Sequence, residues 1–143
     1  MIKRISIDSD NVCYGPVPNP DDEVFQHLTI NSKGRVWLTR YCFGNCVTGY
    51  TLKSKEYLQI PQDTITDLFT ALEKTLIDDD FDEMIVSDVG GWDALIVLDD
   101  EDTIALTGSL INQGGELHRI SQIIRDKLND KSIFVFDASP DQN

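Results

Sequence analysis

The spacing of apolar residues changes twice from strand-like to helical along this chain, and that order restricts the fold more than any other feature. Ile2, Ile5 and Ile7 mark a short strand. Val24–Ile30 and Arg35–Tyr41 are β-rich runs joined by Asn31-Ser32-Lys33-Gly34, a four-residue connection ending in glycine that reads as a β-hairpin. A further β segment is expected within 48–60. Pro61 then sits where the first turn of a helix tolerates proline, and Ile65, Leu68, Phe69, Leu72 and Leu76 follow at helical spacing.

The second part repeats the order. Strands are expected at Glu83–Ser87, Trp92–Leu98 and Thr103–Thr107, with Asp99-Asp100-Glu101-Asp102 as a tight turn between the last two. After Gly114-Gly115, Leu117, Ile120, Ile124 and Leu128, widened by Ile123, mark a second amphipathic helix. A last strand is expected over Ser132–Phe136. Trp37 precedes Leu68 by the same thirty-one residues that separate Trp92 from Ile123, an offset compatible with a β-β-β-α internal duplication. The expected fold class is α+β: a mostly antiparallel sheet with two amphipathic helices packed on one face. Both tryptophans are expected to pack beneath those helices.

With 143 residues, 41% of them apolar, the chain is one domain long and needs no covalent staple. A Pro-rich loop or arm is expected over 9–23 and a flexible tail over 139–143. Cys13, Cys42 and Cys46 leave one thiol over in any disulfide scheme, which suits a reducing, cytoplasmic setting. No stretch approaches the roughly 20 apolar residues of a membrane span.

The charge is polarised. Residues 1–57 hold seven Lys/Arg against six Asp/Glu, a balance of +1, while residues 58–143 hold five against nineteen, or −14, and together they make the formal −13. From Thr75 to His118 there are twelve acids and no Lys or Arg. Nucleic acid is therefore disfavoured as a direct ligand, since phosphate binding needs clustered cations. An acidic face that docks on a basic protein partner is favoured. Its candidate residues are Asp78, Asp79, Asp80, Asp82 and Glu83 in one loop, and Asp99, Asp100, Glu101 and Asp102 in the other.

A twelve-residue calcium loop starting at Asp78 puts Asp80 third and Asp82 fifth, but Glu83 stands where the sharp turn needs glycine and Val89 where a bidentate glutamate is needed. Cys42 and Cys46 have three residues between them rather than two, with no second pair. His27 and His118 are the titratable candidates for an enzyme, and neither lies in a recognisable catalytic motif. No catalytic residue, metal ligand or cofactor is expected. Binding of a divalent metal or small ligand by the same carboxylates, or acidity that serves solubility alone, are the alternatives.

Ser87-Asp88-Val89-Gly90-Gly91-Trp92-Asp93-Ala94-Leu95-Ile96, then Leu106-Thr107-Gly108-Ser109 and the helix from Glu116 to Leu128, together resemble a pattern in small bacterial α+β domains. In those domains an Asp-Gly turn leads into a Trp-bearing strand, an acidic hairpin and a closing helix. The Gly34-Arg35-Val36-Trp37 hairpin and the helix after Pro61 are similar to the same arrangement. This chain differs in having Val89 between Asp88 and the glycine, and no proline before the last helix. Some members of that group resemble immunity proteins, so the resemblance implies a non-enzymatic inhibitor or immunity role.

Overall fold

The computed structural model describes residues 1–11, 17–45, 49–78, 89–111 and 115–137. Among these residues six strands form one antiparallel sheet: β1 (Ile2–Asp10), β2 (Glu23–Asn31), β3 (Arg35–Asn45), β4 (Gly49–Gln59), β5 (Gly91–Leu98) and β6 (Thr103–Ser109), in the order β4-β3-β2-β1-β5-β6. Helix α1 (Gln62–Leu72) continues into a wider π-helical turn, Glu73–Asp78, and α2 is Gly115–Leu128. The fold class is α+β, as the periodicity implies.

Local chemistry accounts for most of these elements. Gly34 closes the β2–β3 turn at φ 83°, a left-handed conformation that suits glycine, and a Cβ there would lie 2.2 Å from the Ile60 carbonyl oxygen. Pro61 opens α1, and its carbonyl accepts the Ile65 N–H at 3.0 Å. The residues expected on the buried stripe of α1 are the ones buried, with Leu76 still 3% exposed where the turn widens. β1 is longer than its isoleucines imply. Ser9 and Asp10 extend it, and Glu23 begins β2, so both ends of the expected 9–23 loop belong to the sheet.

Side chains alternate across the sheet with period two. Ile5 and Ile7 of β1, Leu28 and Ile30 of β2, Val36 and Leu38 of β3, and Trp92, Ala94 and Ile96 of β5 enter one buried cluster. Ile65, Leu68, Phe69 and Leu72 of α1 and Ile120 and Ile124 of α2 join it. Each such aliphatic side chain contributes about 1.5–3 kcal/mol through burial.

Trp37 does not. It is 39% exposed, because the parity that points Val36 and Leu38 inward points Trp37 outward, where it meets Tyr57 edge-to-face at 5.4 Å. Trp92 is buried against Phe136, with ring centroids 4.8 Å apart. The two tryptophans that define the thirty-one-residue offset thus occupy opposite faces. Four strands precede α1 and two described strands precede α2; the strand expected at Glu83–Ser87 lies outside the described residues.

Gly108 is the inner-face position opposite Trp92, and a Cβ there would stand 2.6 Å from two indole ring atoms. A rigid ring held against Phe136 cannot yield cheaply. Gly108→Ala is expected to cost about 1–3 kcal/mol by overpacking, measured as a lower urea midpoint with an unchanged slope.

The last expected strand is absent. Residues 131–137 run as turns and irregular backbone, although Ile133, Phe134, Val135 and Phe136 are all buried. β1 already pairs with β2 on one side and β5 on the other, and the backbone groups of this segment are met by side chains instead. Gln26 Nε2 donates to the Ser132 carbonyl at 2.9 Å, and Gln26 Oε1 accepts the Phe134 N–H at 2.8 Å. Ser9 Oγ donates to the Val135 carbonyl at 2.7 Å. Arg125 Nε and Nη2 donate to the Ile133 and Phe134 carbonyls at 2.7 and 2.9 Å. Val135 sits at φ 51°, which costs a β-branched residue about 1–3 kcal/mol, offset here by its burial and by the Ser9 bond.

Candidate partner-binding surface

The β5–β6 hairpin positions the acidic turn. Leu98 N–H donates to the Asp102 carbonyl at 2.8 Å and Glu101 N–H to the Leu98 carbonyl at 2.9 Å, which closes four residues between the strands. Asp100 Oδ1 accepts the Asp102 N–H at 3.1 Å, an Asx turn that stiffens the tip. Asp99 N–H donates to the Met1 carbonyl at 3.0 Å and ties the turn to the start of β1. The side chains of Asp99 and Glu101 are 66% and 68% exposed. Glu101 adopts φ 72°, a conformation that glycine or asparagine takes far more readily. Its carboxyl is held below the usual glutamate range, chiefly by the hydrogen bond from Lys3 Nζ.

Asp78 ends the π turn and is exposed. Asp79, Asp80, Asp82 and Glu83 lie outside the described residues. The Met1 amino group lies 3.7 Å from Glu73 Oε1 and 3.9 Å from Asp99 Oδ2, so the beginning of the π turn and the β5–β6 turn meet at one corner.

The histidines occupy different settings. His27 Nδ1 pairs with Asp8 Oδ1, and its Nε2 lies 3.3 Å from Thr29 Oγ1, which lies 3.1 Å from Ser6 Oγ. Carboxylate, imidazole and hydroxyl follow one another as in a nucleophilic triad. Thr29, however, lies in mid-strand, with β2 paired to both β1 and β3, so the neighbouring strands' ladders occupy the backbone on either side of it. His118 Nδ1 is 2.6 Å from Asp137 Oδ2, and Arg125 pairs with the other oxygen of that carboxylate. This cluster clamps the C-terminal segment to α2.

A second buried cation, Arg40, points inward in step with Val36 and Leu38. Its guanidinium meets Glu23 at 3.0 Å, Ser132 Oγ at 2.9 Å, Glu56 at 2.5 Å, and Asp130. Burial acts to raise the Glu23 carboxyl, but hydrogen bonds from Lys53, Gln26 and Arg40 together hold it below its ordinary range. Asp130 behaves alike: burial opposes ionisation, and Ser132 and Arg40 outweigh it. Spacing did not single out either arginine as important. The signal was parity for Arg40, and for Arg125 its place one turn beyond Ser121 on the buried stripe of α2.

A shallow groove of about 270 Å³ between α1 and α2 is lined by Thr64, Asp67, Leu68, Arg119, Ile123 and Lys127. Arg119 there is paired with Glu116. No group of three His, Cys, Asp or Glu side chains among the described residues is placed to hold a metal ion. Cys42 carries a free thiol, while Cys13 and Cys46 lie outside the described residues.

Fold and surface define an antiparallel α+β domain that displays a braced acidic hairpin, and no described helix is long and apolar enough to cross a membrane. No protein-family model matches the chain, and no curated protein matches it.

Proposed function

We propose that this is a non-enzymatic binding protein of immunity or inhibitor type, which docks the Asp99–Asp102 turn on a basic protein partner. The observation that carries this reading is the turn itself. Four consecutive acids are exposed at the tip of a hairpin braced by backbone bonds, and Glu101 occupies a backbone position where glycine or asparagine would be less strained. Strain of this kind concentrates where a side chain is needed for function. Lys3 pairs with Glu101 and the Met1 amino group lies 3.9 Å from Asp99, so the negative excess that faces solvent comes from Asp100 and Asp102. Asp78 and the acids that follow it in sequence extend the same one-signed block.

Both helices cover one face of the sheet in this reading, and the hairpin projects from its edge. A rigid acidic tip steers a basic partner and raises the association rate more than it raises the final affinity. The partner is captured on immobilised wild-type protein and on an Asp99→Lys/Asp100→Lys/Asp102→Lys variant whose fold is verified by circular dichroism. Capture of a basic protein by the wild type and its loss with the variant is the expected result. Equal capture by both would leave these acids with solvation as their only role.

A further inference from the structure

We draw no further inference here: the strongest candidate, the outward face of the sheet on which Trp37, Tyr57 and Leu95 are 39, 57 and 46% exposed, is an unpartnered apolar face, and nothing in the structure shows what covers it.

Discussion

Arg125→Ala is expected to lower the unfolding free energy by about 3–5 kcal/mol, a large part of the roughly 5–15 kcal/mol that a domain possesses. The Arg125 and Asp137 side chains are 1% and 2% exposed, so removing the cation leaves a carboxylate in a nearly dry site beside the His118 ring nitrogen at 2.6 Å. The Ile133 carbonyl loses its Arg125 donor in the same step, and the Phe134 carbonyl keeps only the Asp137 N–H at 3.2 Å. The segment that carries Phe136 against Trp92 is then no longer fastened. Urea denaturation gives the comparison. The double variant Arg125→Met/Asp137→Leu, which removes both charges, should recover part of the loss, since an unpaired buried charge costs more than an absent pair. A loss below about 1 kcal/mol for Arg125→Ala would show that apolar burial alone holds the segment.

Arg40→Ala is expected to have an effect of similar size, with a different pH signature. In the wild type, Glu23 and Asp130 titrate below their ordinary values of 4.5 and 3.8. A carboxyl whose pKa is lowered by folding contributes stability above its unfolded pKa and loses it as pH falls through the folded value. Wild-type stability supplied by this cluster is therefore complete above about pH 5 and declines in acid. Without Arg40, Glu23, Glu56 and Asp130 converge with no guanidinium between them, and the repulsion raises the folded pKa values of Glu23 and Asp130. Acidification then stabilises the variant relative to its own value at neutral pH. Denaturation midpoints at neutral pH and near pH 4 separate the cases: wild type and variant should slope in opposite directions, and parallel slopes would remove Arg40 from its central role.

What could be read from the chain was what neighbouring residues decide. Pro61 with five apolar residues at helical spacing defines α1, and Gly34 defines a hairpin, because each needs only a few residues in sequence. Asp99–Asp102 is recognisable as a turn for the same reason. The tail departs from its strand-like composition, Ile133-Phe134-Val135-Phe136, because its conformation is decided by Ser9, Gln26 and Arg125, the first two more than 100 positions away. No local propensity reports such partners. Trp37 is a different case. Its outward direction follows from Val36 and Leu38 by alternation, and the general preference of tryptophan for burial yields to that parity. The same alternation would have marked Arg40 as an inward cation in need of carboxylates.

At the acidic surface, position in the sequence and position in space agree for Asp99 to Asp102, which the hairpin presents together. The association rate of the wild type with the basic protein it captures, followed as added salt shortens the Debye length from about 30 Å to about 3 Å, tests docking through that turn most directly. Steering by the turn predicts a rate that falls about tenfold or more across that range, and a shallower dependence once Asp99, Asp100 and Asp102 are reversed to lysine. A wild-type rate indifferent to salt, or one that the reversal leaves unchanged, would contradict it.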